Sequence, residues 1–251
     1  MRLLKKNVLI TGAGGQLGTR FAQAFATEGA NLWLTDQSQE RLTAAASKLP
    51  ATQLLGSLPM DVTNPASVER VFAQVRAYGA LDVLVNNAGI GVFTPFWERD
   101  YAEFMQVMSV NAGGTFLCTR EALRIMKDQG QGAIVNIGSL YGVVSSDPRI
   151  YTDCERMNSE VYSASKAAVI QLTKYFAVHA ADLGVRVNCV SPGGVFNHQG
   201  EDFVSNYSQR TPFKRMAKDG DICGAVIFLA SDEAGYISGQ NIVVDGGFTA
   251  W

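Results

Sequence analysis

Seven short apolar runs recur along this chain, and apolar residues at helical spacing fill most of the intervals between them. The runs cover residues 7–11, 31–35, 52–58, 81–85, 133–137, 185–190 and 241–244. The helical patterns follow Gly18 as far as Gly29 and then span 38–48, 64–78, 98–127 (interrupted at Gly113-Gly114), 160–182 and 219–230. Few architectures tolerate this alternation. Apolar runs suit strands buried on both faces, and helical crossovers between such strands make the sheet parallel with right-handed connections. The expected fold class is α/β: a doubly wound seven-stranded parallel sheet with helices on both faces. No linker, repeat or low-complexity tract interrupts the 251 residues, a length ordinary for one domain with a large sheet, so residues 1–251 read as a single domain.

In a parallel sheet of this kind the C-terminal ends of the strands share one edge, and ligands bind there, near the point where strand order reverses. The first run ends in Thr11-Gly12-Ala13-Gly14-Gly15-Gln16-Leu17-Gly18. Such a turn lets backbone N–H groups approach a phosphate at a helix N-terminus, where the dipole favours negative charge. Gly12, Gly14, Gly15 and Leu17 are the candidate contacts. The second run ends at Asp36, placed to accept hydrogen bonds from an adenosine ribose and to repel a 2′-phosphate. No Arg or Lys lies in the glycine turn or directly after Asp36, which favours NAD over NADP. The plainer readings are a ligand-free glycine turn and a surface aspartate. Asp61-Val62, Asn86-Asn87-Ala88-Gly89, Ser139 and Pro192-Gly193 fall at the same edge.

Tyr162 and Lys166 stand four residues apart at the start of a long helical pattern, which puts both side chains on one helix face. A phenol is a poor base near neutral pH. An ammonium ~5 Å away, at an effective dielectric of ~20, favours the phenolate by roughly 3 kcal/mol, or about 2 pKa units. The pair is therefore expected to hold a phenol able to exchange protons with an alcohol or ketone. Taken alone, the spacing also fits a solvated helix face.

Composition narrows the function. Hydrophobic residues make up 47% of the chain and charged residues 18%, which supports a sizeable core and argues against disorder. The net charge of -2 leaves no basic footprint for nucleic acid, and no apolar run is long enough to span a bilayer. Residues 1–6 are basic, but Val8-Leu9-Ile10 is too short for a signal-peptide core, so a cytoplasmic protein is expected. Cys118, Cys154, Cys189 and Cys223 are widely spaced, with only His179 and His198 as partners. Free thiols and no metal site are expected.

With these residues in order, the chain resembles the short-chain dehydrogenases/reductases over nearly all its length. The resemblance rests on Thr11-Gly12 through Gly18, Asp61-Val62, Asn86-Asn87-Ala88-Gly89, Asn111, Ser139, Tyr162 with Lys166, Pro192-Gly193, Gly239-Gln240 and Val244-Asp245-Gly246-Gly247. It implies a Rossmann-fold oxidoreductase that uses NAD(P), often as a homotetramer, with a catalytic tetrad of Asn111, Ser139, Tyr162 and Lys166. Tyr162 would be the acid in reduction and the base in oxidation. Lys166 would lower the Tyr162 pKa and hold the nicotinamide ribose, Ser139 would bind the substrate oxygen, and Asn111 would anchor a water in a proton relay. Asn87, Ala88 and Gly89 would line the cofactor, Asp61 and Val62 would flank adenine, and Pro192, Gly193 and Val195 would approach the nicotinamide amide. The long helices at 98–127 and 159–182 would pair across a subunit interface.

Three departures stand out. Gln16 replaces the middle glycine of the usual Gly-x-x-x-Gly-x-Gly and gives Gly-x-x-Gly-x-x-Gly, a spacing typical of the extended branch of sugar-nucleotide epimerases and dehydratases. The interval from Ser139 to Tyr162 is long. Its extra stretch, about 145–158, carries Asp147, Arg149, Tyr151, Asp153, Glu155 and Arg156 and is expected to overhang the site. Asn197 stands where a threonine often contacts the nicotinamide amide. The expected substrate lid, about 196–214, is polar through Asn197, His198, Gln199, Glu201, Asp202, Asn206, Tyr207 and Arg210. With Arg149, this points to a small polar substrate, sugar-like or anionic. The overall look is similar to members associated with bacterial surface-sugar and flagellin modification. The competing readings are an epimerase or dehydratase that retains NAD, a 3-oxoacyl-thioester reductase, and a non-catalytic nucleotide-binding protein.

Overall fold

The computed structural model describes residues 1–152 and 157–251. Asp153, Cys154, Glu155 and Arg156, four residues of the long interval before Tyr162, lie outside the described residues.

Seven strands form one parallel sheet: β1 (Asn7–Thr11), β2 (Asn31–Asp36), β3 (Leu54–Pro59), β4 (Val83–Asn86), β5 (Gly132–Ile137), β6 (Val185–Pro192) and β7 (Asn241–Val244), in the order β3-β2-β1-β4-β5-β6-β7. Strand order reverses between β1 and β4, which opens a crevice at their C-terminal ends. Side chains alternate across the sheet. Val8 and Ile10 of β1 enter one core with Phe21 and Phe25 of α1 (Gln16–Thr27). Leu9 enters the other with Val68, Val71 and Phe72 of α3 (Pro65–Tyr78). Full burial of each Phe or Leu contributes about 1.5–3 kcal/mol. Helices α2 (Gln39–Ala46), α5 (Gly114–Gln129), α6 (Glu160–His179) and α8 (Asp219–Ala230) complete the two layers. The expected doubly wound sheet is the fold observed.

Local chemistry fixes the ends. Asn64 caps α3 by accepting the Ser67 N–H, with Pro65 in the first turn where its missing donor costs nothing. The expected start of the third strand at residue 52 is early by two residues, because residues 51–53 form a 3-10 turn and the Gln53 amide donates to the Ala26 and Ala30 carbonyls. Leu81 is buried but pairs with the Gln129 side chain, so its apolar character reads as strand before the ladder begins at Val83. The helix expected over 98–127 starts as α4 (Tyr101–Met108), capped by Asp100. It then widens into a π-turn at Ser109–Gly113 and continues as α5, without breaking at the two glycines. Gly114 is needed for packing: a Cβ there would lie 2.7 Å from Val62 Cγ2. The helix expected to reach residue 182 ends at His179, and a 3-10 turn leads to Gly184 at φ 68°. The expected lid contains α7 (Glu201–Arg210).

A third, smaller core lies between the long interval and the lid. It gathers Leu140, Ile150, Phe203, Tyr207, Met216 and Phe248.

Candidate active site

The glycine turn, the C-terminal ends of β2, β4, β5 and β6, the start of α6 and the lid enclose one cleft of about 590 Å³. Its lining runs from Asp36, Arg41 and Asp61 at one end to Ser139, Tyr141, Tyr151 and Tyr162 at the other.

At the first end the turn is built for close backbone approach. Gly12 has φ 62°, and a Cβ on it would fall 2.8 Å from Ala88 Cα; a Cβ on Gly18 would fall 2.1 Å from the Gly12 carbonyl. The Asn87 side chain holds the turn against β4 by donating to the Thr11 and Gly12 carbonyls, both at 3.0 Å. Thr11 Oγ1 accepts from the backbone N–H groups of Asn87 and Ala88. No side chain caps α1, so its first-turn amides suit a pyrophosphate. These features fit a dinucleotide.

Of the residues expected to touch it, Gly12, Gly15, Leu17, Asp36, Asp61, Val62, Asn87, Ala88, Gly89, Pro192, Gly193 and Val195 all line the cleft. Gly14 does not. Its N–H donates to Asp36 Oδ2 at 3.1 Å, and its missing Cβ makes room for Arg41, so its role is to seat Asp36. The other Asp36 oxygen accepts the Ser38 N–H at 3.0 Å. Arg41 lines the cleft five residues after Asp36 and escaped the sequence reading, because the first turn of α2 folds it back beside that carboxylate. The Gln16 side chain donates to the Phe196 carbonyl at 2.8 Å and to Asp219 at 2.6 Å, tying the glycine turn to the lid's base and to α8.

At the other end, Ser159 caps α6 by accepting the Tyr162 N–H at 3.2 Å, which makes Tyr162 the third helical residue. Lys166 follows one turn later and is buried. Its Nζ donates to the Ile137 carbonyl at 2.8 Å and stands 5.7 Å from the centroid of the Tyr162 ring. Burial pushes the Lys166 ammonium down to about 8, opposed by Cys189. Burial also raises the Tyr162 phenol, while a hydrogen-bonding interaction with Ser139 acts in the opposite direction. The phenol lowered by lysine that the spacing suggested is therefore not what this geometry gives. Burial sets the direction for both groups, and the ammonium is directed to a carbonyl.

Asn111 is fully buried within the π-turn and does not line the cleft. Its Oδ1 accepts the Ile90 N–H at 2.8 Å, and its Nδ2 donates to the Ile90 carbonyl and Ser165 Oγ, both at 2.9 Å. It pins the loop after β4 to α6.

Tyr141 and Tyr207 also line the cleft. The Tyr207 hydroxyl accepts the Gly194 N–H, and its ring stacks on Phe248 at 5.1 Å. Arg149 does not line the cleft: it is 82% exposed and paired with Asp147 at 2.7 Å. Lys166 is the one charged side chain at the Ser139 end among the described lining residues. Also among the described residues, no group of three or more His, Cys, Asp and Glu could hold a metal ion, and no helix is long and apolar enough to cross a membrane.

Residues 12–249 match the family model described as Enoyl-(Acyl carrier protein) reductase. The chain is similar to galactitol 2-dehydrogenase (L-tagatose-forming) of Cereibacter sphaeroides, 36% identical over 248 residues that cover 96% of this chain and 94% of that one. It is also similar to the crystal structure of a short chain dehydrogenase from Leptospira borgpetersenii with bound NAD+, with TM-score 0.90, 39% identity, and coverage of 99% of this chain and 94% of that one. A third similarity is to a gluconate 5-dehydrogenase from Burkholderia cenocepacia in complex with NADP and tartrate, with TM-score 0.90, 30% identity, and coverage of 100% and 97%.

Proposed function

Since the chain belongs to the short-chain dehydrogenase/reductase family, we propose that it uses Tyr162 as acid and base to interconvert a secondary alcohol and its ketone on a neutral, hydroxylated substrate. The chain is an oxidoreductase acting on CH–OH groups with a nicotinamide cofactor. The observation that carries the residue-level reading is one cleft joining the glycine turn to Ser139, Tyr162 and Lys166.

When bound, the nicotinamide cofactor supplies the hydride chemistry. Gly12, Gly15 and Leu17 would hold its pyrophosphate, Asp36 its adenosine ribose, and Asp61 and Val62 its adenine. Asn87, Ala88 and Gly89 would flank it, Lys166 would hold the second ribose, and Pro192, Gly193 and Val195 would meet the nicotinamide. In reduction the Tyr162 phenol donates its proton to the substrate oxygen as negative charge grows there, and the Ser139 hydroxyl donates a hydrogen bond to the same atom. In oxidation both steps reverse. A phenol raised by burial stays protonated near neutral pH, so it is ready to act as the acid and needs higher pH to act as the base. Asn111 holds Ile90 and Ser165 around this group, and a water-borne proton relay through it belongs to the same proposal.

Asp36 supports NAD, because a 2′-phosphate beside a carboxylate is repelled. Arg41 favours NADP as a second reading. In the first case Asp36→Ala lifts activity with NADP relative to NAD; in the second, Arg41→Ala abolishes a preference for NADP already present. Neutrality of the substrate is supported by the pairing of Arg149 and Arg210 with Asp147. The test is to follow NADH absorbance while offering neutral polyols and sugar acids. Net NADH formation with polyols supports the reading. Turnover without net NADH indicates an epimerase, and a preference for acids removes the claim of neutrality. Self-assembly is part of the proposal: α5 and α6 expose Phe116, Tyr175 and Val178, and sedimentation should find an oligomer dissociated by charge at Tyr175.

A further inference from the structure

Three consecutive peptide planes run from Pro192 to Val195 at the end of β6, and each is held by a different part of the chain. In the first, the Gly193 N–H donates to the Val244 carbonyl of β7 at 2.8 Å. In the third, the Gly194 carbonyl accepts the Ala217 N–H at 2.9 Å. The middle plane lies between two glycines, the residues that resist a swing of the backbone least. It is held from the lid, because its N–H, that of Gly194, donates to the Tyr207 hydroxyl. Tyr207 is buried in the last turn of α7. Its ring stacks on Phe248 at 5.1 Å, and its carbonyl accepts from Thr211 Oγ1 at 2.9 Å. The two glycines make room for the ring. A Cβ on Gly194 would fall 2.7 Å from Tyr207 Cζ, and one on Gly193 would fall 3.1 Å from the Tyr207 hydroxyl. Burial, opposed by the Gly194 N–H, raises the phenol to about 12, so it stays neutral near pH 7.

We infer that Tyr207 is a positioning residue: by holding the Gly193–Gly194 peptide it sets the backbone that meets the nicotinamide, so the lid helix helps to build the cofactor's reactive end. This rests on the reading above that places the nicotinamide at Pro192, Gly193 and Val195. The peptide unit is planar and trans, so a bond to its N–H also fixes the direction of its carbonyl, that of Gly193. Gly193, Gly194 and Val195 all line the cleft. A turn of the middle plane would therefore shift groups facing the cofactor while the planes on either side stay bonded. Removing the Tyr207 hydroxyl leaves the Gly194 N–H without its acceptor, and the plane is then free to turn in search of another. The effect should stay at the nicotinamide end. The other end of the cleft rests on the glycine turn and Asp36, which are held by their own bonds to Asn87 and Ser38.

The test compares NADH with ADP-ribose, which lacks the nicotinamide, by calorimetric titration of the full-length wild type and Tyr207→Phe. Should the enzyme prefer NADPH, that cofactor and 2′-phospho-ADP-ribose take their places. The variant keeps the ring and its stacking on Phe248 and removes only the acceptor. ADP-ribose also counts the competent sites in each preparation, so partial unfolding does not imitate the effect. The expected result is NADH bound ~10-fold more weakly by the variant, with ADP-ribose changed by less than ~2-fold. Should Tyr207→Phe not fold, Gly194→Ala carries the test with the same expected signature, because its Cβ would displace the same ring. Equal weakening of both ligands means general support of the fold and overturns the inference. So does an unchanged affinity for NADH, or a wild type that gains no affinity from the nicotinamide half; all three leave the oxidoreductase reading in place. A wild type that binds neither the cofactor nor its truncated form overturns the placement of the cofactor as well.

Discussion

The ammonium of Lys166 is buried beside the Tyr162 ring and against the Ile137 carbonyl, and burial lowers its pKa from 10.5 to about 8. A depressed amine pKa means that the unfolded chain holds the proton more tightly than the folded one. The buried charge therefore opposes folding below pH about 8, by on the order of 3 kcal/mol, and the penalty fades as pH rises towards 10.5. Lys166→Met removes the charge and keeps much of the volume. The stability of the wild type relative to this variant should rise across that window in urea titrations; a pH-independent difference would refute the burial argument. The four-residue spacing of Tyr162 and Lys166 made them legible in the sequence, because a helix turn fixes it. The direction of the phenol's shift was not legible, because it depends first on burial by remote parts of the fold and then on Ser139, which follows β5. Arg41 and Tyr141 were missed as lining residues for a similar reason: local turns bring them back to the cleft.

Helix ends position the chemistry. Tyr162 is placed by a cap, since its own N–H is the group Ser159 accepts. Ser159→Ala should cost about 1 kcal/mol in chemical denaturation. It should also lower kcat more than it raises KM for the cofactor; a stability loss with kcat intact would make the cap merely structural. Gln16 begins α1 and reaches to Phe196 and Asp219, so the residue that departs from the usual glycine works as a strap between the turn and the lid's base. This explains the departure without placing the chain in the extended branch. Gln16→Gly should release NADH about 10-fold faster in stopped-flow, the equivalent of about 1.4 kcal/mol. An unchanged release rate would show that the strap does not restrain the cofactor. The bounds of α8 and β7 were readable from sequence, where an acidic first turn and a glycine-rich exit mark them. The π-turn was not, because Gly113-Gly114 reads as a helix break until Val62 is seen filling the space a side chain would need.

The whole molecule joins three remote stretches over the substrate end of the cleft. Arg210, at the end of α7, lies 3.8 Å from Asp147, over the Phe248 ring at 4.8 Å and over Trp251 at 5.7 Å, and it donates to the Trp251 carbonyl. Arg149 first, then Arg210, hold the Asp147 carboxyl below the usual range. Arg210→Ala should loosen the lid and raise the substrate KM several-fold with less effect on the cofactor KM; equal effects on both would mean a general loss of structure. The sheet order and the edge that carries the site followed from the alternation of runs, but this clamp did not, since nothing local links residues 147, 210 and 251. The central claim is that Tyr162 moves the proton at the substrate oxygen. It is tested most directly by single-turnover hydride transfer in Tyr162→Phe preloaded with cofactor. The account predicts normal cofactor binding and transfer slowed by ~10²–10⁴-fold; transfer within a few-fold of the wild-type rate would contradict it.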